Sequence, residues 1–468
     1  MKIRVTPLMR ILQGGCSLCR QSSTVTSTSG EDRSSSMDRK NIFKSVKPDV
    51  DMNHILNNTD AIARNIQQRK GDADVHKVVT LWKELKQLKE KLQSSGGVGL
   101  SGSNFQVSKD SLTAQVLETE QLLLEQVCAL PNDTHPDTPM NESDEPRLVE
   151  EIGVKRKFDF PIKDHAQLGE NLNIIRTKHL GHITGHRSYY LRGAGAQLER
   201  ALVKYTLERL VKRHNFKLIS VPDIVKANVF EGCGMRTEGL HTQVYKLNPA
   251  YHPGNLCLAG TAEVGLAGYL MNRTFHVDEL PLRLAAVSRC FRAETTHSSE
   301  ARGLFRVHQF TKVEMFGVTS GESSNESDDF FKEIVAIQRN LFADLGLHFQ
   351  ILDMPAHDLG SPAYRKYDVE AWMPGRDSYG EISSASNCTD YQSRRLRIKY
   401  RTDGNSDSVY AHTLNGTACA VPRLIIAILE NYQDKDGSVR IPDVLQPYMF
   451  GQKVITRPVR GHLHHTRL

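Results

Sequence analysis

Three segments are the most informative about the fold: Phe-Arg-Ala-Glu at 291–294, Arg-Val-His-Gln-Phe at 306–310 and Lys-Val-Glu at 312–314. The apolar run Leu284–Ser288 leads into the first segment, and the run Phe310–Val318 continues the second. Two such runs joined by a polar loop predict a pair of antiparallel strands. Two guanidinium groups, a carboxylate and an aromatic ring then suit the phosphates, exocyclic amine and base of an adenine nucleotide. The alternative is a hairpin with charged surface side chains, because Arg–Glu pairs are common on strands.

Two later segments favour nucleotide binding over a plain hairpin. Gly380–Cys388 runs into Gln392–Leu396, and Asn415–Arg423 runs into the apolar, helix-period segment Leu424–Glu430. Phosphate oxygens at that helix entrance would meet both the Arg423 side chain and the positive end of the helix dipole.

Together these stretches resemble motif 2, the serine and ATP segment, and motif 3 of the class II seryl-tRNA synthetases. The resemblance extends over roughly Leu168 to Tyr448. Further segments that match the family are Thr261–Glu263, Tyr189–Glu199 and Asp436–Pro442. Segments similar to the animal mitochondrial branch are Phe230–Gly234, Ala262–Gly268 and Ala371–Gly375.

The resemblance implies an α+β fold, in which an antiparallel sheet is flanked by helices and preceded by an antiparallel two-helix coiled-coil arm. We expect a mitochondrial transit peptide at 1–35, a tRNA-binding helical arm and linker at 36–150, a catalytic domain at 151–450 and a basic tail at 451–468. The implied activity is serine–tRNA ligation. Serine is activated with ATP to seryl-adenylate and is then transferred to mitochondrial tRNA(Ser).

Amino-acid activation needs aligned anions and neutralised phosphate charge rather than a protein nucleophile, because the carboxylate of the substrate itself attacks the α-phosphorus. The family pattern assigns Arg292, Glu294, Arg306 and Arg423 as the catalytic set. The full ATP-binding set that the resemblance implies is Arg292, Ala293, Glu294, Arg306, Val307, Phe310, Glu381, Ile382, Ser383, Ser384 and Arg423. Within it, Phe310 would stack on adenine and Glu294 would accept from its amino group.

The serine-binding set that the resemblance implies is Thr261, Ala262, Glu263, Arg292, Glu314, Asn415 and Thr417. Thr261 and Glu263 would surround the ammonium group, while Glu314 and Thr417 would contact the side-chain hydroxyl. A buried carboxylate aimed at the hydroxyl would reject alanine, because that substrate would leave the carboxylate without a partner.

Glu381 and Ser384 match Mg²⁺ ligands that bridge the phosphates, and a few hard oxygen ligands suit that ion. We expect no zinc. Cys16 and Cys19 form one CxxC pair without a second pair or a spaced His pair. The other six cysteines are scattered, which favours a reducing compartment over a disulfide framework. No run approaches the ~18–20 apolar residues of a membrane helix, so we expect no membrane association.

The first thirty residues contain Lys2, Arg4, Arg10 and Arg20 but no acidic residue, and Ser and Thr dominate from Ser22 to Ser36. This composition is typical of a mitochondrial transit peptide and predicts a matrix location. A disordered cytosolic tail is the alternative.

Two amphipathic segments follow the leader. Asp60–Gln93 is predicted as one helix, with Val75, Val78, Trp82 and Leu85 at 3–4 spacing, and a second helix is predicted from Asp110 to about Ala129. Lysines line the first segment, so the hairpin could bind tRNA, although it could equally be an ordinary packing element.

A helix over Gly193–His214, followed by a strand over Phe216–Pro222, resembles motif 1. In the family this unit builds the dimer interface, so the resemblance implies a homodimer. The basic segment Phe450–Leu468 lacks acidic residues and is either a solvated tail or a nucleic-acid contact.

Two other classes of protein remain as alternatives. A catalytically silent synthetase paralogue could act as an RNA- or protein-binding module, but such a relative should have lost arginines or acids from the sets above. A ligase for carrier proteins should lack the arm and use a zinc pocket.

Overall fold

The computed structural model describes residues 48–95, 103–140, 145–239, 242–295, 303–323, 325–402 and 407–458. The predicted transit peptide and residues 459–468 of the predicted basic tail lie outside these ranges. Within them, no helix is both long enough and apolar enough to cross a lipid bilayer.

The strands are β1 (Arg147–Ile152), β2 (Ile175–Arg176), β3 (Tyr190–Leu191), β4 (Lys217–Leu218), β5 (Ile224–Lys226), β6 (Tyr245–Lys246), β7 (Leu256–Leu258), β8 (Thr274–His276), β9 (Leu282–Phe291), β10 (Gln309–Thr319), β11 (Phe349–Asp353), β12 (Arg365–Met373), β13 (Ser378–Asn387), β14 (Lys399–Arg401), β15 (Val409–Tyr410), β16 (His412–Ala420), β17 (Val439–Arg440) and β18 (Val454–Ile455).

The α-helices are α1 (Met52–Asn57), α2 (Thr59–Gln68), α3 (Val75–Ser95), α4 (Ser103–Ala129), α5 (His165–Asn171), α6 (Ala194–Arg213), α7 (Ala227–Gly232), α8 (Ala262–Leu270), α9 (Asn325–Asp344), α10 (Tyr391–Leu396) and α11 (Val421–Asn431). Short 3₁₀ turns cover Val277–Glu279, Ala356–Asp358, Pro374–Arg376 and Asp443–Met449.

Eight strands form the main sheet, in the order β1, β11, β12, β13, β16, β10, β9, β4. All neighbouring pairs are antiparallel except β4 with β9, which is parallel. The predicted α+β class and the predicted strand pair around 291–310 are therefore confirmed. The predicted strand over Phe216–Pro222 is much shorter than expected. The chain leaves the sheet edge after the Ile219 N–H donates to Ala285, and Pro222 has no N–H to continue the ladder.

Helices α6, α9 and α11 pack on the main sheet around one apolar core. In α9, the buried residues Phe330, Ile334, Ile337 and Leu341 follow the 3–4 spacing of an amphipathic helix. Helix α11 is buried along its whole length, and Pro422 lies in its first turn, where the missing N–H costs no helical hydrogen bond. Helix α11 contains the apolar run Leu424–Glu430, which the sequence predicted as a helix with its entrance facing phosphates.

The predicted single helix over Asp60–Gln93 is wrong, because α2 ends at Gln68 and α3 begins at Val75. Lys70 adopts a left-handed conformation with φ of +50°. The Asp74 carboxylate then accepts hydrogen bonds from the backbone N–H groups of His76 and Lys77, at 2.9 and 3.1 Å, and caps the new helix. The second helix begins at Ser103, earlier than the predicted Asp110.

Helices α3 and α4 pack against each other and against the two short helices that precede them. The buried apolar side chains of this cluster are Ile55, Ile62, Ile66, Val75, Val78, Leu81, Leu85, Val116, Leu123, Val127 and Leu130. Lys89 also pairs with Glu120 at 2.6 Å. The role of this hairpin in RNA binding stays a prediction.

Arg69, at the end of α2, anchors the helical segment to the sheet domain. Its buried guanidinium donates hydrogen bonds to the carbonyl groups of Asp133 at 2.9 Å, Gly360 at 3.4 Å and Ala363 at 2.7 Å, and to the Thr134 hydroxyl at 2.9 Å. Burial lowers the pKa of Arg69 to about 10, so the group remains charged at neutral pH.

Replacing Arg69 should lower the stability of the folded chain. Arg69→Met should lower the free energy of unfolding by about 3 kcal/mol, because several buried carbonyl groups lose their donor. Arg64→Met, on an exposed position of the same helix, should change it by less than about 0.5 kcal/mol. Urea denaturation of the two variants tests this, and equal effects would contradict the anchoring role of Arg69.

Candidate active site

A cleft opens where the β9–β10 connection, β13, β16 and the start of α11 meet. The residues that line it are Arg292, Glu294, Leu304, Phe305, Val307, Phe310, Lys312, Glu381, Ile382, Ser383, Ser384, Thr417, Ala420, Pro422 and Arg423. The structure thus brings together nine of the eleven predicted ATP-binding residues. Ala293 and Arg306 belong to the same connection but do not line the cleft.

The β9–β10 connection presents its charged groups over an aromatic ring. The Arg292 guanidinium lies 5.3 Å from the centre of the Phe310 ring, and its Nε donates to the Gly260 carbonyl at 3.4 Å. Glu294 is buried and adopts a left-handed conformation, with φ of +48°. Its carboxylate lies 3.6 Å from Arg306 Nη1. A base against Phe310 would therefore meet a carboxylate that already has a cationic partner.

Arg423 lies at the entrance of α11 and links two of the cleft walls. Its guanidinium donates to the Phe305 carbonyl at 3.3 Å and pairs with the Glu381 carboxylate at 3.0 Å. Burial opposes ionisation of Glu381, but Arg423, Lys366 and Arg292 outweigh it and hold the pKa of that carboxyl below its ordinary value. Glu381 is therefore an anion at neutral pH, held beside the arginine.

A β-bulge in β13 explains how Glu381 and Ser384 share one face. Val369 pairs with Ser383 and Glu370 pairs with Glu381, so Ile382 has no partner across the strands. Because one extra residue reverses the alternation of side chains, two residues three positions apart both reach the cleft. Ile382, whose side chain lies in the apolar core, is the residue inserted between Glu381 and Ser384.

The donors around this bulge fit a hard divalent cation. Asp368 lies directly opposite Ser384, and its Oδ1 is buried without a hydrogen-bond partner. Burial raises the pKa of Asp368 to about 7, although Lys366 lies 2.7 Å from its other oxygen. Carboxylate and hydroxyl oxygens are the donors that Mg²⁺ takes, and phosphates and water usually complete its octahedron. Among the described residues, no group of three or more His, Cys, Asp and Glu side chains forms a metal site.

Deeper in the cleft, Glu314 lies in a buried polar cluster. Lys312 forms an ion pair with Glu314 and donates to the Thr417 hydroxyl at 3.3 Å. The hydroxyl groups of Thr417 and Thr261 lie 3.3 and 3.4 Å from the Glu314 carboxylate. A bulge at Ala418 of β16 brings Thr417 directly opposite Glu314. The cluster can donate to and accept from one small hydroxyl group.

Glu263 forms a second buried acidic position beside this cluster. Gln392 donates to its carboxylate at 2.6 Å and Asn415 donates to it at 3.1 Å. Burial, followed by the negative charge of Glu314, raises the pKa of Glu263 to about 7. Thr261 and Ala262 position Glu263, since they form the cap and first residue of α8. An uncompensated carboxylate of this kind suits a cationic ligand group.

Lys312 and Gln392 belong to the site but were absent from the predicted residue sets. Lys312 stands two residues from both Phe310 and Glu314, so the period-two rule for strands could have placed it on the same face. Gln392 carried no comparable signal, because its contact with Glu263 joins residues that are 129 positions apart. Of the predicted residues, Val307 is a buried wall of the cleft and Ser383 donates its hydroxyl to the Thr417 carbonyl.

Known proteins resemble this chain in sequence and in structure. A family profile described as tRNA synthetase class II core domain (G, H, P, S and T) matches residues 245–432. The mitochondrial serine–tRNA ligase of Mus musculus is 44% identical over 450 residues, covering 89% of this chain and 86% of the relative. The mitochondrial serine–tRNA ligase of Bos taurus is 43% identical over 487 residues, covering 97% of this chain and 93% of the relative. A crystal structure of seryl-tRNA synthetase from Pyrococcus horikoshii complexed with ATP aligns with a TM-score of 0.74 at 31% identity, covering 88% of this chain and 100% of that one.

The buried ion pair gives a direct test of the cluster geometry. Lys312→Met should lower the free energy of unfolding by about 3–5 kcal/mol, because it leaves the Glu314 charge buried without a counter-charge. The double variant Lys312→Met/Glu314→Gln should recover most of that loss, since both charges are gone. Urea denaturation of the ligand-free variants measures this, and equal losses in the single and double variants would mean that the two groups do not interact.

Proposed function

Because this chain belongs to the serine–tRNA ligase family of class II synthetases, we propose that the cleft activates serine with ATP and passes the seryl group to tRNA(Ser). Family membership makes the chain an ATP-dependent aminoacyl-tRNA ligase. The observation that carries the assignment of this cleft is the line of Phe310, Lys312 and Glu314 along one face of β10. This row offers an aromatic surface for a base, then a cation for a phosphate, then a buried carboxylate for a hydroxylated amino acid.

In the first step, a serine carboxylate oxygen attacks the α-phosphorus, and the bond from that phosphorus to the bridging oxygen breaks. Pyrophosphate carries away the electron pair, so neither an oxidant nor a protein nucleophile is needed. Arg292 would hold the α-phosphate beside the serine carboxylate, and Arg423 and Arg306 would contact the γ-phosphate end. These cations would neutralise charge that grows on the phosphate oxygens during the displacement. In the second step, a terminal hydroxyl oxygen of tRNA attacks the acyl carbon, and the bond from that carbon to the phosphate oxygen breaks. AMP leaves with the electron pair, and the hydroxyl proton passes to a phosphate oxygen or to water.

Arg306 now lies against Glu294, and both residues are in the proposed ATP-binding set. When adenine binds, its amino group would donate to Glu294, and Arg306 would turn to the phosphates. The Arg292 guanidinium lies 5.3 Å from the centre of the Phe310 ring, within the range of a cation–π contact. The position of Phe310 in the lining of the cleft supports stacking of the base on its ring.

The serine ammonium group would bind between Thr261 and Glu263, and the hydroxyl group would bind between Glu314 and Thr417. Asn415 would keep the Glu263 carboxylate in place through its 3.1 Å hydrogen bond. Alanine has no hydroxyl group to donate to Glu314, so this carboxylate would favour serine.

The divalent cation that an ATP-dependent ligase of this class requires would be Mg²⁺, held by Glu381 and Ser384 with the phosphates. When bound, Mg²⁺ would neutralise negative charge on the triphosphate. The proximity of Asp368 supports this assignment, because it adds a third hard oxygen donor at the same bulge.

The chain would act in the mitochondrial matrix as a homodimer. The mitochondrial names of the mouse and bovine relatives and the acid-free composition of residues 1–30 support this location. Helix α6 and β4 would form the dimer interface, and the exposed side chains of Val211 and Leu218 on them support a partner surface. The α3–α4 hairpin, and the basic tail with it, would contact tRNA phosphates.

The alternative of a catalytically silent paralogue lacks support, because the relatives at 43–44% identity are ligases and each predicted arginine and acid is present. The carrier-protein ligase has no support either, since the chain matches tRNA ligases over nearly its whole length.

The selector role of Glu314 predicts a change in amino-acid preference. Glu314→Ala should reduce the ratio of serine- to alanine-dependent ATP–pyrophosphate exchange by about tenfold or more, because the acceptor for the hydroxyl group is lost. Glu118→Ala, on an exposed position of α4, should leave the ratio unchanged. An unaltered ratio in the Glu314 variant would make that residue structural, and unaltered protein without serine-dependent exchange would contradict the proposed function.

The raised pKa of Glu263, about 7, predicts pH-dependent serine binding. A carboxyl group with a raised pKa is protonated as the pH falls below that value, and the neutral form cannot pair with the serine ammonium. The KM for serine should therefore rise about tenfold between about pH 8 and about pH 6, whereas the KM for ATP should change less. Glu263→Gln should give a high KM for serine that stays flat over this range. A rising KM in that variant would assign the titration to another group.

The helical hairpin can be shortened without exposing its base, because Val75, Val78, Leu123 and Val127 cover the short helices beneath it. Replacing residues 86–118 by a short Gly-Ser linker should preserve pyrophosphate exchange but impair charging of tRNA. Replacing Lys83, Lys86 and Lys89 with alanine should reduce the salt dependence of RNA binding, since these exposed cations would contact phosphates. Full charging by the shortened chain would leave the hairpin as a packing element.

A further inference from the structure

His165, the first residue of α5, lies outside both predicted substrate sets but joins two walls of the cleft. Its side chain is almost fully buried, with 3% of the residue exposed. Its Nδ1 lies 2.9 Å from a carboxylate oxygen of Glu430, near the end of α11. On the other side of the ring, the Leu304 backbone N–H donates to Nε2 at 3.2 Å.

These contacts determine which ring nitrogen carries the proton. Because Nε2 accepts from an N–H group, the proton of the neutral imidazole is on Nδ1, where it is donated to Glu430. The same carboxylate accepts from the His165 backbone N–H at 3.0 Å and from the Gly375 N–H at 2.9 Å. Glu430 therefore fixes the ring, and the ring in turn provides the one acceptor that holds the Leu304 amide.

The chain segment that His165 holds carries the groups that aim Arg423. Gly303 adopts φ of +67°, and a Cβ atom there would come within 2.0 Å of His165 Nε2, so only glycine permits this approach. Phe305 follows Leu304 in the chain. Its carbonyl accepts from Arg423 Nε at 3.3 Å, and its ring lies under the guanidinium groups of Arg423 and Arg376, at 4.6 and 4.1 Å.

We propose that His165 is a positioning residue for the triphosphate end of ATP, acting through the Leu304 amide on Phe305, Arg306 and Arg423. The proposal rests on the proposed function and deepens it. His165 itself does not line the cleft, and its effect passes through a single hydrogen bond to the returning arm of the β9–β10 connection. Loss of that bond would let residues 303–306 move away from α11, and Arg423 would lose the carbonyl group and the aromatic ring of Phe305 together, keeping only its contacts with Glu381.

Two amide substitutions separate the two sides of the ring. The amide nitrogen of asparagine occupies nearly the position of Nδ1, so His165→Asn keeps the donor to Glu430 but leaves Leu304 without an acceptor. The amide of glutamine reaches the position of Nε2, so His165→Gln keeps an acceptor for Leu304. We expect His165→Asn to raise the KM for ATP in serine-dependent pyrophosphate exchange about tenfold, with the KM for serine within about twofold. His165→Gln should stay within about threefold of the unaltered chain for both substrates.

His182→Asn provides a matched control, because that histidine is exposed on a neighbouring loop. Gly303→Ala tests the same contact from the loop side, with the histidine intact, and should raise the KM for ATP in the same way even if His165→Asn does not fold. Equal melting temperatures and equal KM values for His165→Asn and His165→Gln would overturn the proposal, as would a KM for ATP that Gly303→Ala leaves unchanged. Failure of the proposed function would look different, because the unaltered chain would then lack serine-dependent exchange altogether.

Discussion

The register of β10 against β16 positions the buried polar cluster of the cleft. Side chains two residues apart on a strand share a face, so Phe310, Lys312 and Glu314 form a row about 13 Å long. The bulge at Ala418 shifts β16 by one residue and brings Thr417 opposite Glu314. The bulge at Ile382 brings Glu381 and Ser384 to one face of β13, the next strand. Without these two insertions, Thr417 would not lie opposite Glu314, and Glu381 and Ser384 would point to opposite faces of the sheet.

Burial of ionisable groups beside this row is costly, and each group is compensated in a different way. Glu314 has the Lys312 ammonium group, and Glu381 has the Arg423 guanidinium group. Glu263 accepts hydrogen bonds from the amide groups of Gln392 and Asn415 and has no ion pair of its own among the described residues. Burial, followed by the negative charge of Glu314, raises its pKa to about 7. A substrate ammonium group can supply the counter-charge that such a buried carboxylate lacks. The most weakly compensated acid is thus the one that we assign to serine binding.

The sequence predicted the parts of the site whose geometry is local. Period-two runs indicated β9 and β10, and an apolar run behind an arginine indicated α11. It did not reveal either bulge, because the residue left unpaired is set by the register with the neighbouring strand and not by residue type. It also missed Gln392 and His165, whose contacts join distant segments of the chain. The break between α2 and α3 was overlooked, although Lys70, Gly71 and the cap Asp74 carried a local signal for it.

One face of β10 would order adenine, phosphate and serine from Phe310 to Glu314. A crystal structure of this chain with a non-hydrolysable sulfamoyl analogue of seryl-adenylate would test this order. We expect the adenine ring against Phe310 and the serine hydroxyl within hydrogen-bond distance of Glu314 and Thr417. A complex in which the hydroxyl group lies away from Glu314, or in which the base lies elsewhere than on Phe310, would contradict it.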